Sequence, residues 1–130
     1  MESLKLRPDP TSPRLAREFV RRVLGDAGVD RLTTEDAALL ATELVTNSVI
    51  HAETDITVDV DVEAEAGAVR IGVTDGSGAE PVLREQDQNA TTGRGLQLVD
   101  RVATSWSVVF ADTTKTVQFS LVTDLAGPRR

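Results

Sequence analysis

The chain has 130 residues, with 21 Asp+Glu against 14 Lys+Arg, one histidine and no cysteine. The length fits one domain, and 40% apolar with 27% charged residues can bury a cooperative core without a covalent staple. The composition excludes disulfides, thiolate nucleophiles, Cys-ligated metals and multi-histidine sites, and a net charge of −7 argues against binding a nucleic-acid backbone.

No apolar run approaches the roughly 20 residues that cross a bilayer, and Met1 to Leu6 lacks the apolar stretch of a signal peptide. The expectation is a cytoplasmic protein of one domain, residues 1–130, with loose ends. Charge is uneven along it. Residues 1–31 carry seven bases and five acids, a net of +2, whereas residues 53–88 carry ten acids and two bases, a net of −8.

Leu4 and Leu6 alternate with polar neighbours ahead of Pro8, as in a short edge strand. Thr11-Ser12-Pro13 reads as a helix start with a hydroxyl cap. Leu15, Phe19, Val20, Val23 and Leu24 follow at helical spacing, and Gly25 and Gly28 mark the stop. Arg14, Arg17 and Arg21 line the opposite face, where they are a solvated row or meet an acidic partner.

A second helix is expected from Thr33-Thr34 to about Ala52, with Thr33 and Asp36 as a capping box. Its buried stripe is Ala37, Leu40, Ala41, Leu44, Val45 and Ser48. Ile56, Val58, Val60 and Val62 then alternate with polar residues. After a turn at Glu65-Ala66-Gly67, Val69, Ile71 and Val73 do the same, which predicts an antiparallel hairpin with one wet face. A loop over 75–92, a helix over 95–103 with Leu96, Val99 and Val102 inward, and strands over 106–110 and 116–122 complete the chain. The fold class is α+β: a two-layer sandwich with a mixed, mostly antiparallel sheet and helices on one face.

Three features could carry chemistry. Glu43, Asn47 and His51 recur every four residues, forming a row along the edge of the buried stripe. Polar groups there need partners. They are a satisfied network at a half-exposed flank, or the wall of a cavity offering a carboxylate base and an amide ligand. Next, Asp75-Gly76-Ser77-Gly78 sets an acid at a strand end before two glycines. This is a common turn sequence, or a carboxylate that reads an exocyclic amine where glycines let backbone approach a ligand. Finally, Thr92-Gly93-Arg94-Gly95-Leu96 leads into a helix whose free N–H groups suit phosphate. It is neither a dinucleotide fingerprint, since Leu98 stands where a third glycine would be, nor a P-loop.

In this order, with Lys115-Thr116 opening the last strand, the features resemble the ATP-binding domain of the GHKL superfamily. They are most similar to the small stand-alone anti-sigma-factor serine/threonine kinases and related regulators. Glu43 to Ala52 resembles the N box and Gly93 to Leu96 the G2 box, and the resemblance spans about residues 12–121. It implies a Bergerat-type sandwich with ATP and Mg²⁺ as cofactors. Glu43 would be the general base and Asn47 the Mg²⁺ ligand. Asp75 would read the adenine amino group, with Gly76 and Gly78 in its loop. Gly93, Gly95 and Leu96 would surround the phosphates, and Thr116 would add a hydroxyl near Asp75 and the base. Arg84 and Arg94 would contact phosphate, with Arg84 in a short acidic lid containing Glu80, Glu85 and Asp87.

The family's first glycine box, Asp-x-Gly-x-Gly, is altered here, with Ser77 and Ala79 at the glycine places. By resemblance the partners are an anti-sigma-factor antagonist, a sigma factor, or both, with homodimerisation left open. The rival reading is a binding module that sequesters such a partner, with ATP structural or not bound. A histidine-kinase catalytic domain fits less well, because His51 lies inside the N-box row.

Overall fold

The computed structural model describes residues 1–78 and 93–123. In chain order these form β1 (Glu2–Leu6), α1 (Ser12–Asp26), α2 (Arg31–His51), β2 (Ile56–Glu63), β3 (Ala68–Asp75), α3 (Gly93–Val102), β4 (Ser105–Ala111) and β5 (Thr114–Val122). The five strands make one sheet in the order β1-β2-β3-β5-β4, and all four pairings are antiparallel.

Strand alternation divides the sheet into two chemical faces. Across it, Val58, Val73, Val117 and Val108 stand in register, as do Val60, Ile71, Phe119 and Trp106. Most of these are buried under the helices, with Phe119 among the largest fully enclosed side chains. The other face is polar, with Thr57, Thr74 and Thr116 in one row and Asp59, Gly72 and Gln118 in the next. Helices on one face of an antiparallel sheet give the two-layer α+β architecture expected from the alternation.

α1 and α2 pack on each other, and α2 lies over β2, β3 and β5. Their core contribution includes Val20, Leu24, Leu40, Ala41 and Val45, each at 0% exposure. Burying a valine or leucine among them contributes about 1.5–3 kcal/mol relative to exposure. Leu15, assigned to the buried stripe of α1, is instead exposed, and Ala16 takes the inward position. Gly28 adopts a left-handed φ of +81° just past α1, letting the chain fold back so that the Val29 N–H reaches the Leu24 carbonyl at 3.0 Å.

α1 starts where the sequence places it but without the expected cap bond, and α2 starts earlier than expected. Thr11 makes no side-chain cap on α1, because its hydroxyl donates to Asp9 at 2.8 Å instead. α2 begins at Arg31, earlier than Thr33, because Asp30 is its N-cap and accepts from the Thr33 N–H at 3.0 Å. Asp30 also accepts from Thr123 after β5, tying the helix start to the far end of the chain. No helix among the described residues is long and apolar enough to cross a membrane.

Candidate functional site

The site is built around α2, which packs on β3 on one side and on α3 on the other. α2 contributes the polar row. Glu43 and Asn47 are half-buried one turn apart, whereas His51, in the last turn, is exposed. The row therefore tilts out of the core toward the helix C-terminus. The Asn47 Nδ2 is buried and has no hydrogen-bond partner among the described residues. A buried amide without a partner costs free energy unless something outside the chain meets it.

Glu43 opens onto a groove of about 320 Å³ that it lines with Gln97, Leu98 and Arg101 of α3. Among the described residues its lining is one acid, one base, one amide and one apolar side chain. Glu43 is thus accessible from outside while Asn47 lies deeper along the same helix.

Asp75 ends β3 on the helix-facing side of the sheet, in phase with Ile71 and Val73, and is only 3% exposed. Both carboxylate oxygens have partners. Oδ2 accepts from the hydroxyl of Ser48 on α2 at 2.5 Å. Oδ1 accepts from the Ser77 N–H at 2.9 Å and the Ser77 hydroxyl at 2.6 Å. Gly76 and Gly78 fix the loop beyond it. The Gly76 N–H donates to Thr54 Oγ1 at 2.7 Å, and a Cβ on Gly78 would lie 2.0 Å from the Thr114 carbonyl oxygen. Gly78 is therefore required by a close backbone approach between the loop and the start of β5.

Gly93 and Gly95 lie inside the first turn of α3, which starts two residues before the Gly95 expected from the sequence. Helical N–H groups in a first turn have no partner within the helix, so this end can donate to an anion. Leu96 is half-buried against the core. The Arg94 side chain, Arg84, Ala79 and the lid acids Glu80, Glu85 and Asp87 lie outside the described residues.

The structure does not bring Thr116 to Asp75. Thr116 pairs with Thr74, and their hydroxyls meet at 2.7 Å on the outer, polar face. The β5 residue opposite Asp75 is Lys115, which shares its side of the sheet. The reason is the two-residue period of a strand: Val117, Phe119 and Leu121 point to the helices, so Thr116 points away. Sequence reasoning also missed three contacts around Asp75, from Ser48, from the Ser77 hydroxyl and, through Gly76, from Thr54. The sequence placed Ser48 in the buried stripe of α2, and the phase of β3 turns Asp75 toward that helix, so the first of these contacts had a readable signal.

The donor set bears on which cofactors the chain could hold. No group of three or more His, Cys, Asp or Glu that could hold a metal ion occurs among the described residues. Mg²⁺ needs no such group, because it keeps several waters and is usually held by one or two protein oxygens plus substrate phosphates. The Asn47 Oδ1 could be such an oxygen, while its Nδ2, a donor with no partner among the described residues, suits a phosphate oxygen and not the cation.

Residues 6–121 match the model of the histidine kinase-like ATPase domain. The chain belongs to that family. Its fold is similar to the crystal structure of the RsbU and RsbW domains of Rv1364c from Mycobacterium tuberculosis. There the TM-score is 0.72 at 19% identity, covering 95% of this chain and 33% of that one. It is also similar to the histidine kinase domain of a blue-light activated histidine kinase from Erythrobacter litoralis EL346. That likeness has a TM-score of 0.55 at 17% identity, over 86% of this chain and 59% of that one. At such identities these are likenesses of fold, and the chain spans a third of the length of the first. Comparison with curated proteins gives no match. Among histidine kinase-like ATPase domains the common ligand is ATP, usually with Mg²⁺.

Proposed function

We propose that the chain is an ATP- and Mg²⁺-binding regulator that phosphorylates a serine or threonine of a small partner protein, an anti-sigma-factor antagonist. A sigma factor would be the second partner. Membership of the histidine kinase-like ATPase family supports nucleotide binding. The fold likeness to a structure containing an RsbW domain favours the regulatory branch. The observation that carries the reading is the pairing on α2 of an accessible acid with a half-buried amide one turn away, whose buried Nδ2 has no partner among the described residues.

In this reading the base lies near Asp75, Asn47 meets the metal–phosphate group, and the first turn of α3 donates N–H groups to the phosphates. Mg²⁺ would supply charge neutralisation on the phosphate oxygens. The acceptor hydroxyl enters along the groove beside Glu43. Its oxygen bonds to the γ-phosphorus as the bond to the β,γ-bridging oxygen breaks, ADP leaves, and the hydroxyl proton passes to the Glu43 carboxylate. Phosphoryl transfer is mostly positioning and electrostatics, so a site with this few side chains suffices. The test is transfer of labelled phosphate to a co-purified partner. Glu43→Gln is expected to slow transfer by about 10²- to 10⁴-fold, the usual worth of a general base. Transfer at the wild-type rate would remove Glu43 from the chemistry.

The second reading is a binding module that sequesters its partner without catalysis. It is favoured by the Asp75 carboxylate, which already accepts three hydrogen bonds from the chain itself. Calorimetry with Mg²⁺ and millimolar ATP separates the two, since the absence of both heat and thermal shift would leave only the binding module.

A further inference from the structure

Asp75 is a buried carboxylate that the chain keeps almost fully occupied. A carboxylate has about four lone-pair positions, two on each oxygen. Here Oδ1 takes two donors, both from Ser77, and Oδ2 takes the Ser48 hydroxyl. One position on Oδ2 is left, in a group only 3% exposed.

The two serines are not equivalent. Ser48 is itself buried at 5% exposure, so a hydroxyl pulled off Asp75 there would have no water to turn to. Ser77 is exposed, and its hydroxyl can exchange Asp75 for solvent by a single χ1 rotation. The loop need not move for this to happen. It is held on one side by the Gly76 N–H on Thr54, and on the other by the Gly78 N–H on the Thr113 carbonyl at 3.4 Å. Gly78 also packs against the backbone of Thr114. The Ser77 N–H bond stays, and only the hydroxyl is released.

We propose that the Ser77 hydroxyl competes for Asp75 with the amino group of an incoming base, and so sets the affinity and selectivity of the site for amino-bearing nucleotides. The inference rests on the ATP-binding reading above. An amino N–H that reaches Asp75 from the loop side, at Oδ1, must displace a charge-assisted O–H···O⁻ bond before it gains its own. A base without an amino group has nothing to gain from Asp75 and does not disturb the serine. Ser77 is therefore a specificity-determining residue, placed where the family pattern carries glycine.

The test is calorimetry on the full chain with the Mg²⁺ complexes of ATP and of purine riboside triphosphate, which lacks the 6-amino group. Ser77→Ala removes the competing hydroxyl and is expected to tighten ATP binding about tenfold, the worth of one hydrogen bond of this class. The affinity for the amino-free analogue should stay unchanged. Ser77→Thr keeps a hydroxyl and should return ATP binding to the wild-type value. An unchanged ATP affinity in Ser77→Ala overturns the inference alone, as does an equal gain for both nucleotides, which would point to a loop effect. If no variant binds either nucleotide at millimolar concentration while Trp106 fluorescence reports a folded chain, the ATP-binding reading falls and takes the inference with it. Binding by Ser77→Ala but not by the wild type would support the inference in its strongest form.

Discussion

Ser48 on α2 donates its hydroxyl to Asp75 at the end of β3, joining two residues 27 positions apart through a buried contact. The bond fixes the helix that carries Glu43 and Asn47 against the strand end that carries the loop glycines. It therefore sets the distance between the two halves of the candidate site. Ser48→Ala leaves a buried acid with one partner fewer, and the expected cost is about 1–3 kcal/mol. Thermal unfolding followed by the fluorescence of Trp106, the lone tryptophan, measures it. A melting temperature equal to that of the wild type would mean that Asp75 finds another donor and that the link is not structural.

Asn47 makes the opposite prediction for stability. Its buried Nδ2 has no partner among the described residues, so the amide is a burden to the empty fold. Asn47→Leu replaces it with an apolar side chain of similar size and is expected to hold or raise stability, by up to about 1–2 kcal/mol. In the proposed function the same change removes the oxygen that meets the metal. Binding of ATP in the presence of Mg²⁺ should weaken at least tenfold, and the difference between binding with and without Mg²⁺ should vanish. A gain in stability together with a loss of ligand is the pattern expected where function, not folding, holds a residue in place. A destabilised variant with intact binding would contradict both parts.

Much of this arrangement is legible in the sequence because it rests on two short periods. The alternation through β2 and β3 fixes which residues face the helices, and the apolar stripe of α2 fixes how that helix sits. The parts that escape reading depend on contacts between distant segments. The start of α2 escapes because Leu32 is 72% exposed and breaks the apolar pattern, while the true cap, Asp30, also bonds to Thr123 far along the chain. The family resemblance implies a Thr116 hydroxyl near Asp75, yet one residue of phase puts it on the other side of the sheet. The Ser77 hydroxyl escapes for a different reason. A serine two residues after an aspartate is ordinary turn chemistry, and only the depth of Asp75 gives the bond its consequence.

The contact between α1 and α2 should show in acid. Arg21 donates to both carboxylate oxygens of Glu35, with the shortest contact at 2.7 Å. That hydrogen bonding holds the Glu35 carboxyl below its ordinary value. The folded-state pKa is thus below the unfolded one. The pair's contribution is fully present above about pH 4, the unfolded value of a glutamate, and is lost as pH falls through the folded value. Arg21→Gln should return the Glu35 titration, followed by carboxyl NMR, upward to the ordinary range. The stability gap between wild type and variant should close below that pH. Both groups are near half exposed, so high salt should shrink the gap as well. A Glu35 titration unmoved by Arg21→Gln would assign the shift to something other than this pair.

Gly78 and Gly76 offer a paired test of how tightly the base end of the site is built. A Cβ on Gly78 would sit 2.0 Å from the carbonyl oxygen of Thr114 and 2.4 Å from its carbonyl carbon. Those atoms are backbone at the first residue of β5, and they cannot turn aside as a side chain can. Gly78→Ala must therefore push the loop away from the β4–β5 turn, break the bond from its own N–H to Thr113, and carry Ser77 off Asp75. The expected cost is about 1–3 kcal/mol, the usual range for overpacking, with faster hydrogen exchange at Gly76 and Ser77. A Cβ on Gly76 would instead meet the Thr54 side chain, at 2.9 Å from Cγ2. Thr54 can rotate, although doing so releases its hydroxyl oxygen from the Gly76 N–H. Gly76→Ala should accordingly be the milder change of the two. The order of the two melting temperatures decides the point. A Gly78→Ala protein as stable as Gly76→Ala would mean that the loop is not held by the Thr114 backbone, and that Ser77 can leave Asp75 by moving the chain as well as by turning its side chain.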